Sequence, residues 1–205
     1  MITKLFNKLS QGKISAEPCL PGPFGYRMAW YAIKGETPQV VMQKLGLAEV
    51  QPANWETGIG YAYNNDGGIF VSPEVNGYVL VIGLPFNAEL ARKHGALFTE
   101  LQYFSSDSVR DNYAWAKFIN GELVRAHSIC CDTVETVSEG KVTGEELTAG
   151  FEGLPTAVAG GFEGEREFAC EQAVLQIAKA WGVDPLFADE EQYDKSAGWV
   201  CRFKG

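Results

Sequence analysis

The sequence predicts an α+β fold: a largely antiparallel sheet of about six to seven strands with a few covering helices. Three observations predict it. Short strand-like runs are bounded by turns rich in Gly, Asn and Asp. Asn120-Gly121 sits between two such runs, the strongest short hairpin signal, because both turn residues need positive φ. Helical patterns occur only as isolated segments with stop or cap residues at their ends. The 205 residues suit a single domain over 1–205, with an acidic C-terminal subdomain over 132–205 as the alternative.

Taken in order, residues 1–9 place Ile2, Leu5, Phe6 and Leu9 at helical spacing. They read as a short amphipathic helix docked on the domain, or else lying on a membrane surface, and not as a signal peptide. Residues 27–34 are apolar on both alternations, as in a central strand. Residues 38–45 form a short helix: Thr37 caps it, Pro38 suits the first helical position and Gly46 the left-handed stop. Strands are expected at 57–64, 68–72 and 77–84, with turns at 64–68 and 73–77. Asn87 caps a helix over 87–94 that ends at Gly95. Strands at 98–104, 112–119 and 122–130 follow. A two-residue turn makes paired positions of the last two sum to 241. Phe118 then faces Leu123, Ala116 faces Arg125 and Ala114 faces His127, with Trp115 on the other face beside Val124 and Ala126. Beyond 131 glycine and charge rise and strand patterns thin out. Residues 145–149 allow one helical turn, 154–164 read as irregular, and 167–181 form the best long helix, with Phe168, Val174, Leu175, Ile177, Ala178 and Trp181 on one stripe. Gly182 stops it and Pro185 prevents resumption. Residues 199–203 suit a final strand.

Charge is regional. The chain has 26 acidic and 17 basic residues, a net −9. Residues 132–194 hold 15 acids and 3 bases, a net −12, and the remainder is mildly basic at +3. The acidic region repels nucleic acid and anionic lipid and attracts a basic protein. No run approaches the roughly 20 apolar residues of a membrane span. Five scattered cysteines, Cys19, Cys130, Cys131, Cys170 and Cys201, fit free thiols in a reducing cytoplasm. Two histidines and no Cys-x-x-Cys make a metal site improbable, and no cofactor motif is present.

The stretches Val71–Gly83 (VSPEVNGYVLVIG), Tyr113–Ala126 (YAWAKFINGELVRA) and Ala178–Pro185 (AKAWGVDP) resemble a group of uncharacterised bacterial proteins. The resemblance implies a bacterial cytosolic protein. It carries no activity and no functional residue.

Catalysis finds little support. His127 and Cys131 share a strand face but lie about 13 Å apart along it, whereas a base must sit within about 3 Å of its nucleophile. No catalytic residue is assigned, and an enzyme is the less favoured expectation. Two binding expectations remain. Asp189, Glu190, Glu191 and Asp194 form a charge run suited to a basic protein partner, which points to a non-enzymatic binding protein such as an immunity-type inhibitor of a toxin or effector. Alternatively, Arg125 and His127 share a hairpin face opposite small alanines, which suits a shallow anion- or peptide-binding surface and points to a small-ligand-binding domain or minor enzyme with a pocket near them. A charge run is more often a solvated face, and a polar pair on a hairpin more often a covered patch.

Overall fold

The computed structural model describes residues 13–83, 87–130, 135–148, 151 and 171–204. Among them nine strands form one sheet: β1 (Met28–Lys34), β2 (Leu47–Asn54), β3 (Ile69–Val75), β4 (Tyr78–Ile82), β5 (Glu100–Asp107), β6 (Asn112–Ile119), β7 (Glu122–Cys130), β8 (Glu135–Gly140) and β9 (Ala197–Phe203). Their spatial order is β2-β9-β3-β4-β1-β5-β6-β7-β8. Every neighbouring pair is antiparallel. Five α-helices accompany them: α1 (Pro38–Lys44), α2 (Trp55–Asn64), α3 (Ala88–Gly95), α4 (Gly144–Thr148) and α5 (Glu171–Trp181). The α+β class and the antiparallel sheet are as the sequence predicts, but the sheet has nine strands rather than six or seven.

β1 lies in the middle, buried on both faces except at Lys34, as its double alternation requires. Two apolar layers result. One holds Trp30, Leu80, Ile82, Phe104 and Trp115 of the sheet, with Ile59 of α2 and Val174 and Ile177 of α5. The other holds Tyr31, Ile33, Val79, Val81 and Leu101, with Val41 of α1 and Ala91 of α3. Thr37 caps α1 by accepting from the Val40 amide, and Asn87 caps α3 by accepting from the Leu90 amide. Asn76-Gly77 and Asn120-Gly121 both take positive φ, as two-residue hairpin turns demand.

Three expectations need correction. Residues 57–64 belong to helix α2, not to a strand. Thr57, Ile59, Tyr61 and Tyr63 mimic a period of two, but Asn54 caps the segment by accepting from the Thr57 amide. The buried residues Trp55, Gly58, Ile59 and Ala62 repeat at helical spacing. The turn expected at 73–77 is only Asn76-Gly77: β3 continues through Pro73 to Val75, with a register shift between Val71 and Glu74. α3 includes Gly95 and is closed by Ala96. Two strands, β2 and β8, were not expected at all. Both are edge strands, and β2 is exposed from Glu49 to Pro52, so neither carries an apolar alternation to read. The final strand is present, with Val200 and Cys201 buried. The expectations for 1–9 and 154–164, for Cys131 and for the start of the 167–181 helix fall outside the described residues.

Candidate functional site

The β6–β7 hairpin keeps the expected pairing only next to its turn. Phe118 faces Leu123 and Ile119 faces Glu122, but a bulge then advances the register by one, so Lys117 faces Arg125 and Trp115 faces His127. The extra residue is Val124. Because side chains alternate, this single slip moves Arg125 and His127 onto the face of Trp115, away from Ala114 and Ala116. The expected pairings with Ala116 and Ala114 are therefore corrected. Across the sheet, the paired positions Trp30, Phe104, Trp115 and His127 now form one row. Gln102, Lys117 and Arg125 form the next.

Arg125 and His127 are buried, with 0% and 2% of their surface exposed. Arg125 Nε lies 2.8 Å and 3.0 Å from the two carboxylate oxygens of Glu146, itself 0% exposed. Arg125 Nη1 donates to the Ala126 and Glu139 carbonyls and contacts the Ser138 hydroxyl at 2.9 Å. Glu146 also accepts from Trp115 Nε1 at 2.7 Å and from the Thr143 amide at 2.7 Å. The Glu146 amide returns a bond to Thr143 Oγ1 at 3.2 Å. Thr143 and Glu146 thus make a capping box for α4, with the box carboxylate turned onto a buried arginine. Trp181 Nε1 donates to the same Thr143 hydroxyl, which ties α5 to the cluster.

Phe151 closes it. Its ring centroid lies 5.5 Å from the Arg125 guanidinium carbon, 4.8 Å from the His127 ring and 5.5 Å from Trp115. Trp115 and His127 stand 4.4 Å apart. Burial first, and the Arg125 charge second, push the His127 pKa down to about 3, so the ring is neutral at neutral pH. Two polar atoms of the cluster, Arg125 Nη2 and His127 Nδ1, have no hydrogen-bond partner among the described residues.

Beside this cluster, Gln102 Nε2 and the Tyr78 hydroxyl both donate to the Trp181 carbonyl, at 3.2 Å and 3.1 Å, and so cap the C-terminus of α5. Glu100 faces Lys34 and Lys117 there, at 3.8 Å and 3.6 Å. On the opposite sheet face His94 is buried against the Tyr31 hydroxyl, and burial lowers its pKa. Cys201 is buried, which pushes its thiol up to about 12 and leaves little thiolate for nucleophilic work.

The other predicted site is elsewhere. Asp189, Glu190, Glu191 and Asp194 are all exposed, on and around a short 3-10 turn (Glu190–Gln192) between α5 and β9. Asp189 accepts from the Gln192 side chain. No ion pair among the described residues involves any of the four. No group of three or more acids, histidines or cysteines among those residues is placed to hold a metal. The structure does not bring this turn near Arg125. It leads into β9, second in the sheet, whereas β7, which carries Arg125, is eighth, a separation of about 29 Å at normal strand spacing. Among the described residues, acids of this region lie as far apart as Glu139 on β8 and Glu190 on the turn before β9.

Glu146 and Thr143 were missed as site residues. Their Thr-x-x-Glu spacing is a legible capping-box signature, but nothing local announces that its carboxylate is buried on an arginine. No protein-family model matches the chain, no curated protein matches it in sequence, and no solved structure matches it in fold. No helix among the described residues is long and apolar enough to cross a membrane.

Proposed function

We propose that the chain is a non-enzymatic protein-binding protein that engages a basic partner through Asp189, Glu190, Glu191 and Asp194. The observation that carries the reading is their presentation: four exposed carboxylates, outside any ion pair of the described residues, on a turn whose flanks are anchored. Before the turn, Phe187 is buried against Trp55 and Phe24. After it, Tyr193 packs 5.0 Å from Phe187, and Ser196 pairs with Cys19 through two backbone bonds. A rigid charged surface loses little entropy on binding and steers a cationic partner in. The specific form we favour is a bacterial, cytoplasmic immunity-type inhibitor that covers the basic site of a toxin or effector. Nucleic acid and anionic membranes are not partners in this reading.

The test is a pull-down from the native cytosol at low and high salt, with Glu190→Lys/Glu191→Lys as the control bait. The expected result is a basic protein retained at low salt, lost at high salt and weakened tenfold or more by the charge reversal. A partner indifferent to both changes would refute the reading.

A further inference from the structure

α4 is held in an unusual way. Its single buried residue is Glu146, while Gly144, Glu145, Leu147 and Thr148 are exposed. Five residues cannot sustain a helix by their own hydrogen bonds, and no apolar side chain of α4 is buried. Of the side chains of α4 itself, only the Glu146 carboxylate, on Arg125 and Trp115, anchors it to the sheet, while Val142 and Phe151 pack on the core to either side.

Below it, the donors exceed what a carboxylate satisfies. Arg125 Nη2 and His127 Nδ1 are buried and unpartnered among the described residues, two residues apart on one strand face, under the same Phe151 ring. Buried polar groups are ordinarily paired. Two orphans beside a guanidinium and an indole N–H call for more acceptor oxygens than Glu146 brings. A phosphoryl group has three terminal oxygens to the carboxylate's two, and the guanidinium fork matches it as well. Neutral His127 can place its proton on Nδ1 and donate. The exchange leaves Arg125 paired throughout, which avoids the cost of a bare buried charge.

We propose that α4 and Phe151 form an autoinhibitory strap over an oxyanion site made by Arg125, His127 and Trp115, and that a phosphate monoester displaces Glu146 from it. The site is separate from the acidic turn, so the two readings stand or fall independently.

The test is titration of the full chain with phenyl phosphate, read by calorimetry, tryptophan fluorescence and amide exchange of residues 143–148. Wild type should bind saturably, with the α4 amides losing protection. Glu146→Gln should tighten binding tenfold or more, and adding Arg125→Gln to it should abolish binding. Glu190→Lys/Glu191→Lys should bind as wild type does. Absence of saturable binding to wild type and to folded Glu146→Gln overturns the proposal and leaves a buried water on the two orphan atoms. Binding that survives loss of Arg125 also overturns it, and benzoate bound as tightly overturns the phosphoryl assignment. Should Glu146→Gln fail to fold, α4 exchange in wild type unchanged at millimolar phenyl phosphate is the overturning result.

Discussion

At the β2–β9 end of the sheet the covering helix is held by aromatic packing. Trp55 of α2 is fully buried, 5.4 Å from Phe70 and 5.2 Å from Phe187, and its one polar atom bonds to Ser196. At the β7–β8 end the only side chain the covering helix buries is a charged one. α4 buries Glu146 against Arg125, Trp115 and Thr143, and its one large apolar residue, Leu147, is 55% exposed. Burying apolar area is graded and forgiving, because each lost contact costs in proportion. A buried ion pair is conditional: it contributes little net stability when intact, yet costs heavily when one partner is removed. The two ends therefore respond differently to damage, and only the charged end can be opened by a ligand that replaces the missing partner.

The largest effects break the charged end. Arg125→Met or Glu146→Leu alone should each cost about 3–5 kcal/mol, since each strands a buried charge. The double variant should recover most of that loss. Urea unfolding of the four proteins gives the coupling directly, and additive single losses would disprove a dependent pair. Trp55→Ala should also cost about 3–5 kcal/mol through the cavity it leaves. Its effect should add to that of Glu146→Leu, because the two sites share no partner.

Both ends were unequally legible in the sequence, for physical reasons. Central strands β1, β4, β5 and β6 announce themselves through apolar runs because both their faces are packed. Edge strands β2 and β8 do not, since one flank meets water and polar residues are tolerated there. α2 imitates a strand because Thr57, Ile59, Tyr61 and Tyr63 alternate, while the Asn54 cap and the packing of Trp55 and Ile59 decide for the helix. The Arg125 pairing failed at Val124. A bulge inserts one residue without a sequence mark, and one residue reverses every face beyond it. The shared face of Arg125 and His127 was legible, but their burial was not, because Glu146 and Phe151 arrive from a segment far along the chain.

A smaller effect sharpens the contrast through pH. The unfolded His127 ring takes a proton at about pH 6.5, whereas the folded ring, buried beside Arg125, resists until about 3. Between those values the unfolded chain binds more protons. The stability due to neutral His127 is thus fully present above about pH 6.5 and falls as pH drops towards 3, by up to about 1.4 kcal/mol per pH unit. His94 on the other face is lowered too, so the comparison is wild type against His127→Gln, unfolded in urea at pH 7, 6 and 5. The stability difference should shrink as pH falls. A constant difference would show that the ring is not held neutral.

The smallest predicted effect probes the aromatic end. The Phe70 ring lies between two glycines. A Cβ on Gly58 of α2 would overlap the ring, and one on Gly198 of β9 would stand 2.9 Å from Phe70 Cε2. Alanine is a better helix former than glycine by about 1 kcal/mol, so propensity alone favours Gly58→Ala. Overpacking opposes it at about 1–3 kcal/mol, and the ring has no room to retreat because Gly198 backs it. The variant should therefore be destabilised by up to about 2 kcal/mol, the difference of those opposing contributions. Phe70→Leu should cost about 1 kcal/mol by itself yet rescue Gly58→Ala in the double variant, since the smaller side chain vacates the overlap. Thermal unfolding of the set decides it: if Gly58→Ala raises the Tm, α2 is free to shift, and the aromatic end is looser than its packing implies.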